Sequence, residues 1–314
     1  MRIALSLPEG EGPHPVIVLL SLCGARWEFQ REDFSPTIGR APEFCSRPPE
    51  APASPPNGPD EDYLRGAPAA AAAIDGFALV VVFAGDVVPD NEADARAALA
   101  LFARADDPGA ETGAIAAWAW SASRVLDYIA TDPRLDAGNI GLIGHSRMGK
   151  TALLAAAFDA RIKAVIAHQS GTGGATLSRH EIGETVAQIT ERYFYWFAPR
   201  YATYAGNEAA LPIDQHQLLG LIAPRGILLG NGTEDEWADP DGAWRSAFAA
   251  TPVYHVFGAT GLSEETRDWP MSGGDLLYFL RPGRHGFTRG DWERFFDFMS
   301  VHFEHARPPV PDDF

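Results

Sequence analysis

Residues Asn139–Phe158 read NIGLIGHSRMGKTALLAAAF: an apolar run, a glycine-framed turn, then a stretch of small helix-forming residues. The passage predicts a strand that turns sharply into a helix, and two incompatible chemistries can be read in its letters. Gly144, four residues, then Gly149, Lys150 and Thr151 match the phosphate-binding loop G-x-x-x-x-G-K-[ST] letter for letter. The same letters place Ser146 behind Gly144 where a nucleophile elbow would lift its hydroxyl above a sheet and face it with a helix N-terminus. As an elbow it is imperfect, because the second glycine falls at Gly149, one place later than in G-x-S-x-G.

Sequence order decides between them. A nucleotide site needs a later strand ending in an Asp for Mg²⁺, but the strand after the motif, Lys163–Ala167, runs into His168 and Gln169. Asp86 follows an apolar run, yet it precedes the motif. A serine hydrolase needs an acid and then a histidine, each on a loop beyond a later strand. Gly226–Leu229 is followed by Glu234 and Asp235, and Leu276–Leu280 by His285. Nucleophile, acid and base in that order on three strand ends favour the hydrolase.

Working outward, apolar runs at Val16–Leu22 and Phe77–Phe83 join the four already named, and helical spacing appears at Gly113–Ile129, Thr151–Phe158 and Trp292–Phe303. This alternation predicts an α/β fold, a mostly parallel sheet covered by helices on both faces. The proline-rich stretch 41–59 is expected to be a surface loop. The residues before it are too few to bury a core alone, so residues 1–314 are read as one domain.

The chain of 314 residues carries 25 Lys+Arg against 42 Asp+Glu, a net charge of −17. A surface so acidic disfavours nucleic acid and anionic membranes as partners. The longest apolar stretch, 67–84, is broken by Asp75 and Gly76, which excludes a bilayer span. The N-terminus MRIALSLPEGEG holds too short an apolar run for a secretory signal, and the compartment stays open. Two cysteines, Cys23 and Cys45, neither staple such a chain nor make a zinc site alone, and Cys23 reads as a buried hydrophobe. His302 and His305, nearly one helical turn apart, read as a solvated face, and no metal or other cofactor is expected.

Several separated motifs agree in order and spacing with one family. GHSRMGK around Ser146, SGTGG at 170–174, LSRHEIGETV with Glu184, LPIDQH, LIAPR, EDEWADP with Asp235 and Trp237, and RPGRHGF with His285 resemble the bacterial glucuronoyl esterases of carbohydrate esterase family 15. The resemblance runs from about residue 76 to 303 and is weaker over the first 60 residues. It implies an α/β-hydrolase fold and a serine esterase acting through an acyl-enzyme on 4-O-methyl-glucuronate esters of glucuronoxylan, such as lignin–xylan cross-links. In such an enzyme Ser146 attacks, His285 shuttles the proton and Asp235 orients it, preferred over Glu234, Glu236 and Asp239.

The resemblance further implies that Arg147 stabilises the oxyanion. Backbone N–H groups of Arg147 and of the Cys23–Gly24 turn are other candidate donors. Lys150, Glu184 and Trp237 would bind sugar. Gln169 stands where the resemblance implies that many family members carry a glutamate as a second acid, so Asp235 should orient the imidazole alone, and Gln169 is grouped with the substrate-binding residues. His145, His168, His180 and His216 read as structural, and Trp118 and Trp120 as core and groove wall. The proposed partner is a carbohydrate ester, whose blocked carboxyl carries no charge for the acidic surface to repel. Two alternatives stay open: acetylxylan or general carboxylesterase action on the same triad, and a phosphate-loop protein using Gly144–Thr151. The family is mostly secreted or periplasmic.

Overall fold

The computed structural model describes residues 1–23, 68–102, 106–179, 182–264 and 274–304; the proline-rich stretch 41–59 and Cys45, His180 and His305 lie outside them. Among the described residues, seven strands form one sheet: β1 (Ile3–Ser6), β2 (His14–Ser21), β3 (Ala78–Phe83), β4 (Leu135–His145), β5 (Ile162–His168), β6 (Gly226–Gly232) and β7 (Leu276–Arg281). Their order is β1-β3-β2-β4-β5-β6-β7, with β1 antiparallel and all other pairs parallel. The helices are α1 (Pro68–Ile74), α2 (Glu92–Leu99), α3 (Ala114–Ile129), α4 (Arg147–Phe158), α5 (Val186–Arg192), α6 (Pro199–Ala202), α7 (Gln215–Gly220), α8 (Pro240–Val256) and α9 (Arg289–Phe303).

Continuous Val, Leu and Ile runs predict strands buried on both faces, and β3 is buried at every residue. Alternate residues fall into two cores. Val16, Val18 and Leu20 pack with α3, α4 and α8, whereas Ile17 and Leu19 pack with α1 and the aromatic stripe of α9. Gly141 of β4 lets α9 lie close: a Cβ there would stand 2.3 Å from Met299 Sδ.

Among the elements that the periodicity reading did not name, β1 and α8 escaped for identifiable reasons. β1 has only four residues, too few for an alternation signal, and is held by pairing with β3 and by Arg2, which donates to both Asp86 carboxylate oxygens at 2.8 Å. α8 begins at Pro240 and carries Pro252 inside it, which breaks the helical signature, although its Ala243, Ala247, Ala250 and Tyr254 are buried.

Two side-chain expectations are corrected. His302 is not on a solvated face: it packs on Gly226, whose missing Cβ would lie 2.7 Å from the ring, and its ring lies tilted 4.3 Å from that of Phe298. Cys23 is half-buried and disulfide-bonded, not a buried free thiol.

Phe295 of α9 is fully buried among Phe287, Trp292, Phe279 and His168. Phe295→Ala is expected to cost about 3–5 kcal/mol of stability, read from urea unfolding midpoints; a loss below about 1 kcal/mol would contradict this packing.

Candidate active site

Ser146 links β4 to α4 with φ 55°, left-handed backbone that a non-glycine residue adopts only when its surroundings hold it there. Its N–H donates to His168 O at 2.8 Å, tying the turn to the end of β5. Gly144 is obligatory, since a Cβ would lie 2.0 Å from Met148 O. The displaced second glycine has its own reason: at Gly149 a Cβ would stand 2.9 Å from Ser170 Cβ, so close approach to the β5 loop falls there.

The phosphate-loop alternative finds no support in this geometry. Gly149 N–H and Lys150 N–H both donate to Ser146 O, at 2.8 and 3.2 Å, so these amides are engaged. The Lys150 ammonium turns inward and donates to Ser170 O at 2.5 Å and Thr172 O at 2.6 Å, and Thr151 Oγ1 donates back to Arg147 O.

Of the four acids after β6, Asp235 meets the imidazole: His285 Nδ1 lies 2.7 Å from Asp235 Oδ2, with Asp235 buried and His285 44% exposed. Glu234 pairs outward with Arg284, and Asp239 caps α8 through Gly242 N–H. Ser146, Arg147, Lys150, Gln169, Glu184, Asp235, Trp237 and His285 all border one cleft of about 260 Å³. The sequence-predicted set is therefore brought together.

Several members sit differently from the expectation. Lys150 is buried, and loss of hydration pushes its ammonium down to about 8, opposed by Glu184. Burial pushes the Glu184 carboxyl up, opposed by Lys150 and a hydrogen bond from the Trp237 side chain. Trp237 stands half-exposed at the rim. Trp118 is fully buried and donates to Val88 O at 2.8 Å, whereas Trp120 packs edge-on against Phe102 and does not border this cleft. Cys23 N–H donates to Ser21 Oγ at 3.3 Å, which engages one of the expected oxyanion donors, and Gly24 lies outside the described residues.

Arg147 revealed a partner that no motif announced. Its Nη1 is ion-paired with Asp90 Oδ2, and its guanidinium lies over the Trp196 ring at 4.6 Å and the Tyr193 ring at 5.4 Å. Asp90 Oδ1 accepts from Tyr195 OH at 2.9 Å and Trp196 Nε1 at 2.8 Å. Asp90 lies in a turn before α2, and only its apolar neighbours Val87 and Val88 hinted that it would be carried inward.

Beneath His285 lies a buried relay of rings. The His145 ring is 4.6 Å from that of His285, and its Nδ1 is 3.1 Å from His168 Nδ1. One ring must donate and the other accept, which two imidazolium ions could not do. Burial, then the charge of His285 and neighbouring cations, holds His145 well below the usual 6.5; burial and Arg281 do the same for His168.

A strand-to-helix elbow serine, with acid and histidine loops on later ends of a mostly parallel sheet, defines an α/β-hydrolase fold. The sequence profile of the family described as "Glucuronyl esterase, fungi" matches residues 68–258. "Carbohydrate esterase MZ0003", from an unknown prokaryotic organism, is 39% identical over 234 residues, 72% of this chain and 54% of that one. "4-O-methyl-glucuronoyl methylesterase 1" of Wolfiporia cocos is 36% identical over 193 residues, 59% of this chain and 47% of its own. The solved structure "Glucuronoyl Esterase from Solibacter usitatus" superposes with TM-score 0.80 at 33% identity, covering 96% of this chain and 77% of that one. A "promiscuous CE15 esterase" from a marine bacterial metagenome gives TM-score 0.80, 33% identity and coverages of 96% and 76%. The chain belongs to the glucuronoyl esterase family. It spans about half the length of the curated relatives it matches.

Two outcomes follow. Imidazole NMR signals of His145 and His168 are expected to stay those of neutral rings as the pH falls below the usual 6.5 of an imidazole. Because unfolded imidazoles bind protons near 6.5, native stability should fall below that pH by up to about 1.4 kcal/mol per pH unit for each ring. A midpoint of 6–7 for either ring would contradict this. Asp90→Ala strands the Arg147 charge, and unfolding measurements should show about 3–5 kcal/mol lost.

Proposed function

We propose that the chain is a serine esterase of glucuronoyl esters, acting as a single catalytic domain on 4-O-methyl-glucuronate esters of glucuronoxylan through an acyl-enzyme. The observation that carries the reading is the convergence of Ser146, the Asp235–His285 pair and Arg147 on one cleft whose wall also includes Lys150, Glu184 and Trp237.

Ser146 Oγ attacks the ester carbonyl while His285 Nε2 takes its proton. His285 Nδ1–H donates to Asp235, whose buried carboxylate fixes the tautomer and stabilises the imidazolium that forms. Arg147 and the start of α4 present positive charge to the tetrahedral oxyanion, and the same imidazolium then protonates the leaving alcohol. Water repeats the sequence on the acyl-enzyme and releases the uronic acid. Asp90 and the Trp196 ring hold the guanidinium in place, so less reorganisation is needed when the oxyanion appears.

An acetyl ester would leave most of this wall without a partner. Buried Lys150 and Glu184 beside a half-exposed indole suit a ring bearing several hydroxyls, with the Trp237 face available for stacking. For that reason the acetyl-ester alternative is disfavoured.

The test is kcat/KM on a benzyl glucuronate ester and on an acetyl ester. The glucuronate ester should be preferred, and Ser146→Ala or His285→Ala should lower kcat by about 10⁴–10⁶-fold. Retention of wild-type activity by Ser146→Ala would overturn the proposal.

A further inference from the structure

Gln169 lines the cleft, yet both ends of its amide are bonded to the protein's own backbone. It follows β5 with φ 48°, and its N–H donates to Gly230 O at 2.7 Å, so the residue is anchored between two strand ends. Its side chain is almost fully buried, and both ends are engaged on the loop that carries His285. Oε1 accepts from Gly286 N–H at 2.6 Å, and Nε2 donates to Arg284 O at 3.0 Å. The two partners are the residues on either side of His285.

We infer that Gln169 is a positioning residue: it grips the backbone before and after His285 and so sets where the imidazole stands between Ser146 and Asp235. The inference rests on the serine-esterase reading above for its effect on rate. One end of the grip must accept a proton and the other must supply one, a requirement that a neutral amide meets and an ionised carboxylate does not.

Neighbouring features show that the loop needs such a grip. Gly283 has φ 106° and Gly286 φ 151°, so backbone on both sides of His285 occupies conformations open mainly to glycine, with little intrinsic stiffness. Arg281 supports the loop from the other side: Nη2 donates to Arg284 O at 3.2 Å and Gly286 O at 2.5 Å, while Asp291 holds Nε at 2.9 Å. Gly232 leaves the room, since a Cβ there would lie 2.8 Å from Gln169 Nε2. His285 itself is 44% exposed and has few walls of its own. A displacement of about 1 Å at a reacting group can cost roughly 100-fold in rate. The grip therefore acts on the quantity to which the reaction is most sensitive.

The experiment compares wild type, Gln169→Ala and Gln169→Glu on benzyl glucuronate ester, with Gly286 amide hydrogen exchange measured in each. Gln169→Ala is expected to lower kcat about 10–100-fold with KM within about 3-fold of wild type. Gln169→Glu keeps the volume and the acceptor but loses the donor to Arg284 O. It should also lose kcat, while Gly286 exchange stays slow. Gly286 exchange should accelerate in Gln169→Ala. A loss carried by KM alone would mean that the amide contacts substrate, and wild-type kcat in either variant would mean that the grip does not set the imidazole; each overturns the inference. Unchanged Gly286 exchange in Gln169→Ala overturns the grip itself, whatever the activity. Failure of the serine-esterase reading appears separately, as wild-type rates in Ser146→Ala and His285→Ala.

Discussion

The backbone at Ser146 is the constraint on which the rest of the site depends. A left-handed residue at the end of a central parallel strand redirects the chain in one step, so that the serine hydroxyl and the start of α4 face the same cleft. That turn exists because Gly144 presents no side chain to Met148 O and because Ser146 N–H is secured to β5 through His168 O. The strain of such a conformation, about 1–3 kcal/mol, is offset by packing of a sheet buried on both faces. Fold stability and site geometry are thus linked at one residue.

A second principle governs the charges. The molecule is strongly acidic overall, yet the cleft concentrates Arg147 and Lys150, and each is tempered by its surroundings. Arg147 is paired with Asp90 and stacked on Trp196, while Lys150 is bonded to two backbone carbonyls and lies near Glu184. Cations held this way are fixed in direction, which in the proposed reaction favours a developing oxyanion and neutral sugar hydroxyls over loose attraction of anions. Beneath them, His145 and His168 stay uncharged, so the only imidazole directed at the cleft, among the described residues, is that of His285. A protonated neighbour 4.6 Å away would penalise an imidazolium at His285, which the proposed reaction requires.

Membership of the glucuronoyl esterase family and the cleft geometry point the same way, by independent routes. The family follows from similarity spread along the chain; the proposed chemistry follows from which side chains meet. Gln169 shows the value of keeping the two apart. The resemblance alone grouped it with the substrate-binding residues, whereas its hydrogen bonds engage the loop of His285 at both flanks.

Local patterning was enough to determine the α/β class, six of the seven strands, the helices with clear apolar stripes, and the placement of Ser146, Asp235 and His285 in that order after successive strands. These depend on runs of β-branched residues, glycine at a forced turn and motif spacing, which are properties of contiguous residues. Tertiary structure alone decided that Lys150 is buried rather than reaching for phosphate and that Asp90 lies under Arg147. It also decided that His302 packs on Gly226. The reason is physical: each of those outcomes depends on which hydrogen-bonding groups from distant segments arrive within about 3 Å of one another, and such distances are set by how helices settle on the sheet, not by neighbours along the chain.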